Sequence, residues 1–499
     1  MELEFRKTSC KYLRSALREV RNQELTKEMR LSDGMPDIGR VLASWGQVIL
    51  RSKEWRSDAI GCAGGVMIWV LYAPEDGTDA RCVEGWIPFQ MDWDLPSGIS
   101  EGTIHIAPLL RFVDARSVSA RKLMVRTGVA VRAEAMVQEE TQIPVPDVLE
   151  DDIQLLHKVY PLRMICEVGE KSFQVDEDLV LPDSIPKAEK ILHYSVNPEV
   201  TENRVSGKRL IVKGEGNLHV LYRSEDGRLY SWDFDLPFSQ LINLETDWEE
   251  DPQAMMDLCV TGLELSLDNT GHLRLKLDLL AQFRVSCRQM VRVITDAYST
   301  NREVQPVVQQ QEMPVILDSR QENIYGEQTL PQRAETVVDV CFLPDFPRMR
   351  RMGEQVELEV PGQFQVLFYG EGGVLQSANS RWEGSLRISA HEDGQVHAVI
   401  LPGSEGHATL GNDQIYLKPE VVLCLETQSQ ERIPMATGME IGQVRIPDPN
   451  RPSLILRRVG EDGLWTIAKG TGTTVSAIMD ANGLTGEPLE NQMLLIPVN

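Results

Sequence analysis

The chain of 499 residues has no C-x-x-C pair, no run approaching 18 apolar residues, no block of basic residues and only 6% aromatic residues. Each absence excludes a class of protein. The eight cysteines, Cys10, Cys62, Cys82, Cys166, Cys259, Cys287, Cys341 and Cys424, are scattered, mostly inside apolar runs. They read as buried reduced thiols of a cytosolic protein rather than a disulfide framework or a zinc site. Without a long apolar run no spanning helix is expected. The opening residues, M-E-L-E-F-R-K-T-S-C, lack the apolar core and cleavage pattern of a signal peptide, so the chain is expected to stay in the compartment where it is made. A formal net charge of −25 disfavours nucleic acid and anionic lipid as partners.

Catalytic signatures are missing too. No Walker loop, G-x-S-x-G elbow or H-E-x-x-H occurs. Gly214-Glu215-Gly216 lies in a β-type run and reads as strand glycines or a bulge. His391 and His397 bracket Asp393-Gly394, which marks a turn better than a metal site, since no third ligand is evident. Carboxylates are too abundant for any two to be singled out as acid and base. The expectation is a protein with no catalytic residues, no metal and no cofactor.

What the chain does have is repetition. Val70-Leu71-Tyr72, Val220-Leu221-Tyr222 and Val366-Leu367-Phe368 recur roughly 150 residues apart, each followed by a Gly-ended turn, Glu75-Asp76-Gly77, Glu225-Asp226-Gly227 and Glu371-Gly372-Gly373. Leu31-Ser-Asp-Gly-Met-Pro36 answers Leu181-Pro-Asp-Ser-Ile-Pro186, and Ile87-Pro88-Phe89 answers Leu236-Pro237-Phe238. The third stretch is more divergent, with Leu330-Pro331 ahead of Val337-Val338. So long a period implies three copies of a whole domain, over 1–150, 151–300 and 301–446, rather than a solenoid.

Each copy reads as mainly β. Leu263, Leu265 and Leu267, then Leu273, Leu275, Leu277 and Leu279, alternate with polar residues around Asp268-Asn269-Thr270-Gly271, the pattern of a β-hairpin. Strands with one apolar face need a second layer, so a sandwich or open barrel is expected. Short helical pieces are expected at 37–42 and 188–194, each after a proline that suits a first helical turn. Residues 11–30 read as a lead-in helix or a first strand. Residues 143–152 and 299–314 read as connectors, and 447–453 as a stiff Pro-rich linker. Tyr72, Tyr222 and Phe368 read as packing residues. Trp45, Trp55, Trp69, Trp86 and Trp93 cluster in the first copy, as a Trp-rich core or as a partner-binding face.

The tail, 454–499, has its own pattern: a short apolar run at 454–456, two helices and a second apolar run at 493–496. Asp462 is placed to cap the first helix, with Leu464, Ile467 and Ala468 on one face and Gly470 as its stop. Thr474 caps the second, with Val475, Ile478 and Met479 on one face and Asn482-Gly483 at its end.

Asp462, Leu464-Trp465, Ile467-Ala468, Gly472-Thr473-Thr474-Val475, Asn482-Gly483-Leu484, Gln492 and Leu495-Ile496-Pro497 make this segment resemble a LysM domain. The resemblance implies a small α+β (βααβ) fold with a core of Leu464, Trp465, Ile467, Val475, Ile478, Asn482 and Ile496. It also implies a ligand site on two loops, Glu461-Asp462-Gly463 and Gly483-Leu484-Thr485-Gly486-Glu487. Such domains usually bind N-acetylglucosamine polymers, in peptidoglycan or chitin. Here the usual G-D-T of the first loop is E-D-G, which removes a hydroxyl, adds a carboxylate and favours a protein ligand.

P-D-I-G-R-V-L, V-L-Y-A-P-E-D-G and G-W-I-P-F resemble the repeated domain DUF3794 of spore-forming Firmicutes. Several such repeats ending in one LysM module resemble the coat-morphogenesis proteins of clostridia that interact with the ATPase SpoIVA. That resemblance implies a non-enzymatic scaffold in the mother-cell cytoplasm at the forespore surface. Its tail module would bind the SpoIVA-like ATPase and its repeats other coat proteins, with no membrane insertion. The alternative it leaves is a peptidoglycan-binding protein of the wall or spore cortex.

Overall fold

The computed structural model describes residues 2–145, 152–412, 414–446, 452–459 and 463–498. After a short strand β1 (Glu2–Glu4), the first group of strands is β2 (Arg6–Arg30), β3 (Ile38–Trp55), β4 (Ala59–Pro74), β5 (Arg81–Asp94), β6 (Thr103–Ser119) and β7 (Lys122–Val145). The second is β8 (Ile153–Val180), β9 (Ala188–Ser206), β10 (Arg209–Ser224), β11 (Leu229–Asn243), β12 (Gln253–Leu267) and β13 (His272–Ser299). The third comprises β14 (Arg302–Tyr325), β15 (Gln328–Arg333), β16 (Thr336–Pro344), β17 (Arg348–Met352), β18 (Gln355–Tyr369), β19 (Leu375–Ser389), β20 (Gln395–Ile400), β21 (Glu405–Gly411) and β22 (Gln414–Val444). The tail holds β23 (Leu454–Arg458), α1 (Leu464–Thr471), α2 (Val475–Asn482) and β24 (Met493–Pro497).

Each group folds as a two-layer sandwich. One layer is β3-β4-β5, β9-β10-β11 or β16-β18-β19; the other joins the first and last strands of the group, β2 with β7, β8 with β13 and β14 with β22. The recurring tripeptides sit on the middle strands β4, β10 and β18. Val70 and Tyr72 face the core of their own sandwich, as Val366 and Phe368 do, whereas Leu71, Leu221 and Leu367 turn the other way into a core that all three sandwiches share. A strand buried on both faces has no reason to alternate, which is why these tripeptides are apolar throughout.

The flanking landmarks become contacts. The Tyr72 hydroxyl donates to the carbonyl of Pro36 and the Tyr222 hydroxyl to that of Pro186, both at 2.9 Å, fixing the turn before the sandwich. The third group has Phe368 there and lacks this bond. The phenylalanines of I-P-F and L-P-F lie over cross-strand glycines: a Cβ on Gly64 would meet the Phe89 ring at 2.8 Å, and one on Gly214 the Phe238 ring at 2.3 Å.

Several expectations are corrected by pairing. The two predicted helical pieces are the starts of β3 and β9, because Ile38 pairs Pro74 and Ala188 pairs Ser224. The prolines ahead of them end a turn instead of opening a helix. Of the two readings of residues 11–30, the first strand holds and the helix does not: they are strand throughout, paired to β7. The expected connector at 299–314 runs instead into β14, whose Gln-rich part, Val307–Gln311, pairs β22. Of the first connector, residues 143–145 belong to β7, and 146–151 lie outside the described residues, as do 447–451 of the linker. The hairpin over 262–285 does form, with Leu263 opposite Leu277 and Gly271 at φ 85°. The cysteine reading needs one change: Cys166 and Cys287 form a disulfide between β8 and β13, with Cα atoms 6.4 Å apart. Cys166 is the extra residue of a β-bulge, which turns its side chain towards the partner strand. The other six are free, and burial pushes Cys62, Cys82, Cys259 and Cys341 up to about 12, where they are inert.

That bulge recurs. Ala16, Cys166 and Leu317 are each skipped in the pairing of first with last strand. Beyond it the paired strands leave the sandwiches as three two-stranded arms. These pack together around Tyr12, Met164, Val293, Met313 and Met435. The molecule thus has a head of three sandwiches and a stalk of three arms. Strand β1 crosses over to pair β22 of the third arm.

Candidate functional site

The C-terminal module is two antiparallel strands, Leu456 opposite Leu495, under two short helices. Leu464, Ile467, Ile478 and Ile496 are fully buried in its core, and Val475 and Leu484 pack against it. The predicted cap Asp462 lies outside the described residues with Glu461; Gly463 takes the N-cap place of α1, with no side-chain bond. The helix passes Gly470 and stops at Gly472, whose φ of 63° is the left-handed conformation that ends it. Thr474 caps α2 by accepting from the Ala477 amide, and Gly483, at φ 60°, closes it. Asn482 is a clamp rather than core: its amide donates to the carbonyls of Ile478 and Leu495 and accepts from the Leu495 amide.

The two predicted ligand loops meet at their described residues. Gly463, Gly483, Thr485, Gly486 and Glu487 are exposed and Leu484 is half-buried. The Glu487 carboxylate accepts from the Leu464 amide at 3.4 Å. It thereby serves an amide at the start of α1 that the glycine cap cannot, where a helix favours negative charge.

Trp465 packs against this core, as predicted, and also forms a seam with the platform. Its ring meets Tyr298 edge-on at 4.8 Å, and its indole N–H donates to Asp296 at 2.7 Å. Lys469 pairs the same carboxylate at 2.7 Å, and the Tyr298 hydroxyl donates to the Thr473 carbonyl at 2.8 Å. Asp296 and Tyr298 lie at the end of β13, so the module is seated at the tip of the second arm. The seat leaves the described residues of the two predicted loops, and the outer face of β23 and β24 with exposed Leu454, Leu456, Met493 and Leu495, open to solvent.

Two buried polar clusters tie the platform together. Ala43, His193 and Asp339 each pair with the central leucine of their tripeptide. The His193 ring stacks on Trp45 at 4.8 Å, and Asp339 accepts from the Trp45 indole at 2.9 Å. Asp339 also pairs with His219 Nε2 at 2.8 Å, while Asp233 holds Nδ1 at 2.6 Å. Burial opposes a charge on His219, but Asp339 and Asp233 overcome it and raise the imidazole to about 10. His193 is pushed down to about 3 by burial and by His219. Nearer the arms, Glu134, Arg284 and Glu426 occupy a second set of matching positions, two pairs past the bulge. Arg284 holds Glu426 at 2.8 Å and Glu134 at 3.9 Å, and Arg18 contacts the same two carboxylates, closing a ring of four charges. Of the five clustered tryptophans, Trp45, Trp69 and Trp93 are buried and Trp55 and Trp86 half-buried. The signal for these clusters was in the sequence only as divergence between copies at matching positions.

Residues 187–267 match the family described as SipL, SPOCS domain. The match spans β9 to β12, including the Val220-Leu221-Tyr222 strand and both histidines of the shared junction. Comparisons with curated proteins and with solved structures find no match. No helix among the described residues is long and apolar enough to cross a membrane, and no group of three side chains there is placed to hold a metal ion.

Proposed function

We propose that this chain is a non-enzymatic scaffold of spore coat assembly, built from three copies of one sandwich domain and ending in a LysM module. The match of residues 187–267 to the SipL, SPOCS domain carries the reading. In it, the C-terminal module docks on a morphogenetic ATPase of the SpoIVA kind at the forespore surface, and the sandwiches recruit other coat proteins. Several modest contacts on one chain then give tight assembly without any single tight site. The seating of the module supports this: Asp296 and Tyr298 hold it on the stalk with its loops outward. The Glu487 carboxylate drawn over the start of α1 supports a protein over a neutral glycan as ligand.

The test is a calorimetric titration of the full chain with the ATPase, and separately with N-acetylglucosamine oligomers and muropeptides. Binding to the ATPase that is lost in a Leu484→Ala, Thr485→Ala, Glu487→Ala triple variant, with no heat from sugars, is the expected result. Micromolar sugar binding with no response to the ATPase would replace the scaffold by the peptidoglycan-binding alternative.

A further inference from the structure

Strand β1 runs antiparallel to β22, with Leu3 opposite Met439 and Glu4 opposite Gly438. At Phe5 the chain leaves that sheet, and from Arg6 it pairs β7 instead. A wedge opens between β2 and β22. On the side facing it, β2 makes a single described pairing, Leu13 with Ile165. The edge of β22 opposite β14 is paired by β20 as far as Gln428 and by β1 from Gly438 onward. Between those points, among the described residues, it has no partner strand. Two free strand edges therefore flank one opening. It holds a cavity of about 880 Å³ lined by residues 13–18 on one side and 428–432 on the other.

We infer that this wedge receives an extended segment of a partner protein, bearing Lys or Arg alternating with apolar residues, which adds as a strand between β2 and β22. Strand addition uses backbone groups that an edge leaves open and takes its specificity from alternate side chains. Past Leu13, the described bonds on the β2 edge are local: the Arg14 guanidinium donates to the Ser15 carbonyl at 3.5 Å and the Ser15 hydroxyl to the Leu17 carbonyl at 3.1 Å. Both bonds are readily exchanged for backbone donors. Five residues of edge span about 16 Å, the length of an ordinary strand. Leu13, Leu17, Met164 and Val315 supply apolar lining for one face of the segment.

The charge follows from what is already paired. Arg14 is held by Glu139 at 2.6 Å, Arg432 by Glu312 at 3.0 Å, and Arg18 lies in the ring of four charges. Asp393 and Glu431, both exposed, remain at the rim without a described cation. The inference rests on the scaffold reading only in taking the partner to be a protein, and its test does not involve the ATPase.

The full chain is titrated with fluorescent eight-residue peptides, alternating Val with Lys or Val with Glu, and with a Lys peptide carrying proline at its centre. The Lys peptide is expected to bind at least tenfold tighter than the other two, more weakly as salt rises, and to slow amide exchange at residues 14–18 and 429–432. In the Asp393→Lys, Glu431→Lys double variant the preference is expected to reverse by at least tenfold; Asp393→Asn, Glu431→Gln should abolish it. Equal binding of Lys and Glu peptides, indifference to the central proline, no binding at 1 mM, or protection confined to the C-terminal module would overturn the inference.

Discussion

Replacing Arg284 by Met tests whether the ring of four charges holds the three sandwiches together. Arg284 lies on β13 of the second sandwich, and it bridges Glu134 of the first to Glu426 of the third. All three side chains are at most 9% exposed. Burial alone would raise the Glu134 carboxyl, yet Arg18, Arg284 and Arg132 bring it from 4.5 down to about 2. At about 1.4 kcal/mol per pH unit, that corresponds to roughly 3 kcal/mol in favour of the ionised form. Removing Arg284 takes away one of those cations and the nearer of the two arginines that pair Glu426. Breaking a buried pair on one side costs about 3–5 kcal/mol, because a charge is left buried without compensation. The assay is denaturant unfolding of the full chain followed by tryptophan fluorescence, which reports the shared core through Trp45 and Trp69. Arg284→Met should lower the unfolding free energy by that amount, read as a lower midpoint at an unchanged m-value. Replacing all four charges with Leu or Met should restore stability to near the parent, since no charge is then stranded. A single variant within about 0.5 kcal/mol of the parent, or a quadruple variant worse than the single, would refute the reasoning.

Other outcomes follow from the same geometry. His193 is held at about 3, His105 and His397 at about 4, all chiefly by burial. The unfolded chain takes up these protons near 6.5, so the contribution of these three histidines to stability is complete above that pH. It should fall by about 4 kcal/mol per pH unit between 6.5 and 4, as read from unfolding midpoints. His219 is the opposite case: its contribution is complete below 6.5 and is lost as pH rises towards 10, and Asp339→Asn should flatten that alkaline limb. Gly214→Ala places a methyl 2.2 Å from the Glu199 carbonyl and against Phe238; a loss of about 1–3 kcal/mol of stability from overpacking is expected, seen as a lower thermal midpoint. Asp296→Ala strips Trp465 and Lys469 of their acceptor, which should weaken the seat by about 1.5–3 kcal/mol and speed proteolytic release of the C-terminal module from an intact platform.

The local grammar of this chain is set by its sequence. The hairpin at 268–271, the Thr474 cap, the Gly483 stop and the packing role of Tyr72 and Tyr222 depend on neighbours a few residues away or on a strand's own period, and such signals survive in one dimension. Signals that depend on a partner strand did not. Residues 37–42 follow a proline that suits a first helical turn, but pairing with the edge of β4 outweighs that local preference. Cys166 looked like any buried thiol until the bulge brought it to Cys287, 121 residues away.

The repeats show the division most plainly. Recurring V-L-Y/F strands, turns and landmark prolines were enough to indicate a mainly β chain of several domains. How the units combine was decided at positions where they differ. Ala43, His193 and Asp339 hold one register position and fill it with a methyl, an imidazole and a carboxylate; Glu134, Arg284 and Glu426 do the same with charges of opposite sign. Repetition reflects what each sandwich needs for its own core. Complementary divergence at the shared junction reflects what each needs from the other two, and only the tertiary contacts reveal which differences face one another.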